Sequence, residues 1–439
     1  MASVDPKIII RLGSHSEKEY VLKTAKHLDG IIVPSNLFEA TPGATASLLG
    51  KTLKCPYYID PMTYVYGCNL DWIKSEQKIR GSKKKTKGFK RSYMNLAQVL
   101  GGRIKESLAQ NRPVSPDDFK EAITLDVLCE NVVGYQENRV REEFEKDEGY
   151  KQYAEDAAKP RGVFSPYFHI PQRNSQAWLD LNMRLLSVTV KLKPTSPVYG
   201  VICTEAEMLD DSSFMESMTK SLLGTGSQGV WLRFWGFNEW EESANRLYVL
   251  RTLIEKLNKK LEVYNMSGGY FSLILAKYGL RGVSHGVGYG EHRKLEPIIA
   301  QAMPTVNYYL PETRRRFGIP DIERCFDDLN IETPDDFHEK VCGCVVCKGI
   351  VLKHLKDFQA FGERRYARAD SQRESQTPAA AKRCRFHFLL NRIAERDQIM
   401  KASLAEIREQ LQQSANTWGK QASIMRYCTH LQCWSDILA

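Results

Sequence analysis

No run of apolar residues in this 439-residue chain approaches the ~18 needed to span a bilayer. The opening Met-Ala-Ser-Val-Asp-Pro lacks the basic-then-apolar pattern of a secretory leader. A soluble, cytoplasmic protein is therefore expected, with no membrane partner. The 11 cysteines lack framework spacing and are odd in number, which argues against a disulfide scaffold and for a reducing compartment. Acidic excess is also missing: 62 Lys and Arg stand against 53 Asp and Glu, a formal charge of +9. Such a balance suits a polyanionic partner. The charge is concentrated in Lys83, Lys84, Lys85, Lys87, Lys90 and Arg91 and again in Arg314, Arg315 and Arg316. Each run alone also fits a solvated face; together they point to nucleic acid.

What the chain does contain is a repeating alternation. Eight short runs rich in β-branched and aromatic residues are separated by helix-like segments: 7–12, 30–33, 56–60, 163–170, 198–203, 229–234, 261–266 and 282–286. Parallel β/α units follow from that pattern. Eight of them predict a closed (β/α)8 TIM barrel, an α/β fold, over residues 1–315. The stretch at about 68–160 reads as an inserted helical excursion. A TIM barrel places its chemistry just beyond the C-terminal ends of its strands. The groups at those ends are Asp60, His169, Thr204, Glu205, Arg233, Asn265, Ser267, Gly268, Gly269, Ser284 and His285. Asp60 is expected to be an exposed mouth carboxylate. The tryptophans at 231, 235 and 240 fit core or mouth packing.

Cys342-Gly-Cys344-Val-Val-Cys347 puts three thiolates within six residues. A tight turn can aim all three at one tetrahedral ion, and zinc then needs one more ligand. His387 is the preferred fourth, with His354 and Cys384 as rivals. Three cysteines and a histidine close the shell, so the Zn2+ is structural. This assigns 316–395 to an appended zinc-binding subdomain and leaves 396–439 as a C-terminal helical tail without a role.

An eight-unit barrel followed by C-x-C-x-x-C and a distant histidine resembles the tRNA-guanine transglycosylase family, including its DNA 7-deazaguanine-inserting relatives. The resemblance implies a transferase that exchanges guanine in DNA or tRNA for a 7-deazaguanine base through an aspartate nucleophile. DNA is favoured over tRNA because the tRNA-type signatures are absent. The family's third strand ends in Asp-Ser-Gly-Gly-Phe-Gln; here Asp60 is followed by Pro61-Met62-Thr63-Tyr64. The glutamine of the fifth strand is missing from Gly200-Val201-Ile202-Cys203-Thr204, and the eighth strand has Val283-Ser284-His285 where an aspartate nucleophile is expected.

The implied site is then Asp60, His285 and Glu291 for catalysis, with Gly268, Gly269, Ser284, Gly286 and Arg233 against the substrate. Lys83, Lys84, Lys85, Arg314 and Arg315 would hold phosphates. The glycines at 286, 288 and 290 are only loosely like a phosphate cradle. Two other readings stay open. One is a non-catalytic barrel that binds nucleic acid or a partner subunit, supported by the missing aspartate and glutamine. The other is a hydrolase that releases the base and installs nothing. A mouth with convergent carboxylates favours an enzyme; one plugged by tryptophans favours the scaffold.

Overall fold

The computed structural model describes residues 5–78, 85–288, 293–297, 305–366 and 374–438. Its main sheet contains eight parallel staves wound into a nearly closed (β/α)8 barrel, with helices between them. The first three staves are Lys7–Arg11, Gly30–Pro34 and Tyr57–Asp60. The last four are Val198–Glu205, Gly229–Trp235, Glu262–Asn265 and Leu280–His285. Pairing of the first stave with the eighth, Ile8 opposite Val283, joins the two ends of the chain's pattern. The runs are apolar because both faces of a barrel strand are covered.

The fourth stave is broken into Val163–Phe164 and His169–Ile170, both parallel to Val198–Glu205. Pro166 lies in the gap, where a residue without an amide hydrogen cannot contribute to a ladder. Among the described residues the third and fourth staves share no ladder. Side chains substitute for one. Gln136, from the inserted helix Ala122–Glu145, donates from Nε2 to Phe164 O and accepts at Oε1 from Phe164 N, both at 2.8 Å. Its amide thus serves as a one-residue stretch of neighbouring strand. Asn182 does the same for Phe168, at 2.7 and 2.9 Å. One backbone bond, Arg161 N to Tyr57 O at 2.8 Å, helps close the seam.

The barrel interior is filled rather than hollow. Trp231 stacks on Tyr264 with centroids 4.5 Å apart, and Tyr58 and Phe164 meet its edge. This is the side-chain filling expected of a TIM barrel.

Helices Lys18–Thr24, Ser175–Lys191, Ser212–Leu223 and Ala244–Leu257 cover the outside. The helix Pro378–Lys401 packs on both Lys18–Thr24 and the short Tyr270–Ile274. It therefore takes the place of an eighth barrel helix, so the boundary expected at 315 divides the chain without dividing the packing. The insertion also carries an antiparallel hairpin, Lys74–Lys78 with Lys85–Phe89. No helix among the described residues is long and apolar enough to cross a membrane.

The C-terminal tail, to which the sequence assigns no role, docks firmly. Trp434 Nε1 donates to Glu239 O at 3.0 Å, and the indole stacks near Tyr270. His430 Nε2 lies 2.8 Å from Thr313 O.

Candidate functional site

Cys342, Cys344, Cys347 and His387 converge, with ligand atoms all within 4.8 Å of one another. His387 Nδ1 stands 3.7, 3.4 and 3.3 Å from the three sulfurs in chain order. Around a tetrahedral ion with Zn–S near 2.3 Å and Zn–N near 2.0 Å, a sulfur and a nitrogen ligand stand about 3.6 Å apart. The observed spacing brackets that value, so the donor set fits a metal ion. The histidine is oriented from behind. Its Nε2 lies 2.6 Å from Tyr309 O; a carbonyl only accepts, so Nε2 holds the proton and Nδ1 is left bare toward the sulfurs.

Backbone N–H groups of Cys344 and Cys347 point at the Cys342 and Cys344 sulfurs, at 3.5 and 3.4 Å. Tyr308 lies flat on the imidazole at 4.1 Å and brings its hydroxyl to 3.2 Å from Cys347 Sγ. The rivals have other tasks: His354 belongs to the capping box at the start of Leu355–Phe361, and Cys384 Sγ lies 3.3 Å from Phe361 O.

At the barrel mouth, Asp60 is at the third stave's C-terminal end as expected, but it is buried, not exposed. Its Oδ1 accepts from Met62 N at 3.0 Å and from the Tyr167 hydroxyl at 2.8 Å. The first bond makes an Asx-type turn, and Met62 takes a left-handed φ of 52° to close it. Among the described residues Oδ2 accepts no hydrogen bond, and Arg11 NH2 lies 3.8 Å from it.

Arg233 reaches into the same region, donating from NH2 to the Tyr64 hydroxyl at 3.3 Å and lying over that ring. Burial, the largest single influence, opposes its charge, yet Tyr64, Cys203, Tyr167 and Asp60 together raise its pKa well above the ordinary value. Burial likewise raises the Tyr64 and Tyr167 hydroxyls. Arg11, Met62, Tyr64 and Arg233 line a small cavity of about 60 Å³ at the C-terminal ends of the first three staves.

A second, larger cavity of about 330 Å³ opens at the ends of the sixth to eighth staves and includes Gly268, Gly269, His285 and Arg315. The structure therefore gathers these four predicted residues together but sets His285 apart from Asp60. Burial, then Arg392, pushes the His285 imidazole down to about 3. Its Nδ1 is 3.1 Å from the carbonyl of Gly286, which is itself buried. The carboxylate that could have faced this cavity is turned inward: Glu239 accepts from the amides of Gly269, Phe271 and Ser272 at 2.8, 3.1 and 3.2 Å. A side chain at 269 would strike that carboxylate, so the close approach requires glycine.

The remaining expected residues are placed as follows. Ser284 is buried, and its hydroxyl donates to Met266 O at 2.7 Å, so it is occupied within the fold. Arg314 is buried, 3.4 Å from Glu395 and over the Tyr270 ring, so its guanidinium holds protein together and does not meet a phosphate from solution. Lys85 sits on the exposed hairpin, 2.7 Å from Glu76. Lys83, Lys84 and Glu291 lie outside the described residues. The tryptophans do not plug the mouth together: Trp231 is core, Trp235 donates to His169 Nε2 at 2.9 Å, and Trp240 lines the larger cavity. Among the described residues each cavity is lined by one carboxylate, Glu296 in the smaller and Glu241 in the larger. Arg316 of the larger one belongs to the arginine run at 314–316, whereas Arg293, Arg392 and Phe388 carry no sequence signal of their own.

Burial also lowers His169 and His430 to about 4 each. Together with His285 they stay neutral in the fold while an unfolded histidine takes a proton near pH 6.5. Their depressed values make stability complete above about pH 6.5, declining as pH falls toward 4, because the unfolded state then binds more protons. Between 6.5 and 5 each contributes at most ~2 kcal/mol. Thermal melts at pH 7, 6 and 5 should show a steady fall, with metal content measured at each pH to separate any loss of metal from histidine protonation; a flat profile overturns this.

Comparison with protein-family models returns no match to this chain, and neither does comparison with curated proteins.

Proposed function

We propose that this protein is a base-exchange transferase of the guanine transglycosylase type, acting on a nucleic acid, with DNA favoured over tRNA. Asp60 carries the reading. It is a carboxylate at the end of a barrel strand, held at one oxygen by Tyr167 and Met62, with the other oxygen free of hydrogen bonds and facing Arg11. An ionised carboxylate is what a covalent glycosyl exchange needs. Asp60 attacks the anomeric carbon, the bond from that carbon to guanine breaks, and a 7-deazaguanine later displaces the aspartate. The target base would be flipped from its strand to reach it. Since the eighth stave ends in Ser284-His285, Asp60 takes the nucleophile's part here. Zinc at Cys342, Cys344, Cys347 and His387 is structural and takes no part in the reaction.

A second reading, a non-catalytic barrel that binds nucleic acid or a partner subunit, is favoured by one observation: Asp60 is fully buried. Incubating the protein with guanine-labelled DNA and tRNA separates the two. Release of label in the presence of free 7-deazaguanine, matched by its incorporation, is the expected result. Release without incorporation indicates a hydrolase. No release from either polymer leaves the non-catalytic barrel.

A further inference from the structure

We propose that the larger mouth cavity is a binding site for a phosphate group carried on a nucleotide. Among the described residues, four guanidiniums, from Arg293, Arg315, Arg316 and Arg392, line it together with the carboxylate of Glu241. They come from segments distant in sequence, the loop after the eighth stave, the strand Arg315–Phe317 and the helix Pro378–Lys401, and meet only in the fold.

Arg392 is the built element of the site. Its residue is 1% exposed, and its Nε has no hydrogen-bond partner among the described residues. Glu395 Oε2 lies 3.0 Å from its NH1 as an ion pair, but neither atom makes a hydrogen bond among the described residues. His285 Nε2, at the same cavity, is also buried without a partner. Arg315 gives one N–H to Glu241 at 2.9 Å and one to Tyr427 O at 3.1 Å, out of the five a guanidinium has.

Aromatic faces hold the other guanidiniums. Arg293 and Arg315 lie 5.0 and 5.5 Å from the Trp240 ring centre, and Arg316 lies 4.2 Å from that of Phe388. Guanidiniums stacked in this way are ordered before a ligand arrives, and their planar forks match phosphate oxygens. The short helix after Gly269 does not supply the anion site, because Glu239 already occupies its amides. The arginines therefore hold the charge. The apolar walls, Trp240 and Phe388, suit the sugar or base attached to a phosphate better than inorganic phosphate alone. The volume of about 330 Å³ is within the range of small-ligand sites, ~300–1,000 Å³.

The site deepens the base-exchange reading and rests on the same barrel mouth, but it does not depend on the exchange chemistry. Its phosphate is either a diester within a strand or a free nucleoside monophosphate. Calorimetric titration with inorganic phosphate, guanosine monophosphate and a guanine-containing single-stranded DNA distinguishes these sources. We expect both nucleotide ligands or the strand alone to bind more tightly than inorganic phosphate.

The Arg315→Gln/Arg316→Gln variant should weaken that binding at least about tenfold, the effect of removing one to two charged hydrogen bonds. If the strand is the ligand, the salt slope should fall by ~0.7 for each phosphate that the variant no longer neutralises. Thermal melts and metal content check that the variant is folded. Trp240→Phe provides a second route: it should remove a ligand-induced fluorescence change while calorimetric binding persists. Absence of saturable binding by all three ligands, or unchanged affinity in the folded double variant, overturns the site. Binding without base exchange would instead overturn the enzyme reading and leave the site standing.

Discussion

Asp60→Asn is expected to reduce base exchange by a factor of about a hundred or more, the usual cost of losing a nucleophile or acid–base group. The substitution preserves volume. An asparagine oxygen can still accept from Tyr167 and from Met62 N, as Asp60 Oδ1 does at 2.8 and 3.0 Å. What disappears is the negative charge beside Arg11, 3.8 Å away, and near the buried Arg233. From sequence alone the change would leave folding nearly intact, because a mouth aspartate was expected to be exposed. Burial reverses that expectation. Removing one partner from a buried charge group leaves the others uncompensated, typically at a cost of about 3 kcal/mol. The melting temperature should therefore fall together with activity, and activity must be measured well below the new midpoint. Tyr167→Phe serves as the comparison. It removes the hydrogen bond to Oδ1 but leaves the carboxylate, so it should retain much more exchange than Asp60→Asn. Full activity in folded Asp60→Asn would show that the mechanism is wrong.

If the cluster holds one ion per chain, as its donor set fits, Cys347→Ser should bring the metal content to nearly none, since three donors no longer close a tetrahedral shell. Cys347 is fully buried beneath Tyr308, so the hydroxyl would also sit in a pocket shaped for sulfur. The structural consequence should be regional. The ion would join the turn at 342–347 to His387, whose helix Pro378–Lys401 is itself part of the barrel wall. Without the ion, the segment from Ile319–Asp328 through Leu355–Phe361 loses one of its ties to that helix and keeps those made by Arg383 and Cys384. Limited proteolysis should then cut between 319 and 361 while the barrel remains folded by circular dichroism. Full metal content in the variant would sink the assignment of Cys347 as a ligand. Metal release without increased cleavage would refute the regional tether.

Cys342, Cys344 and Cys347 are legible as a cluster able to hold a metal because their spacing is local: six residues can converge through one turn. The eight staves were legible for a similar reason, since each announces itself by a short apolar run between helical stretches. Even the break in the fourth stave has a local sign, Pro166, although only the fold shows Gln136 and Asn182 replacing the missing ladder with their side-chain amides. His387 was one candidate among three. Selection required the chain to return across roughly forty residues and place Tyr309 O behind the imidazole.

The sequence by itself thus determined the barrel, its order of units and the thiolate cluster, because periodicity and short spacing are properties of neighbouring residues. Tertiary structure alone decided which charges face solvent and which face one another. Arg314 and Arg315 are adjacent in the chain, yet one is buried against Glu395 and the other borders a cavity. Asp60 and Arg233 were both expected at the mouth, but burial makes them members of one internal charge group. The four arginines of the larger cavity and the docking of Trp434 on Glu239 arise from segments far apart in sequence. Burial and electrostatic environment are sums over such distant neighbours, so no local pattern of residue types could have announced them.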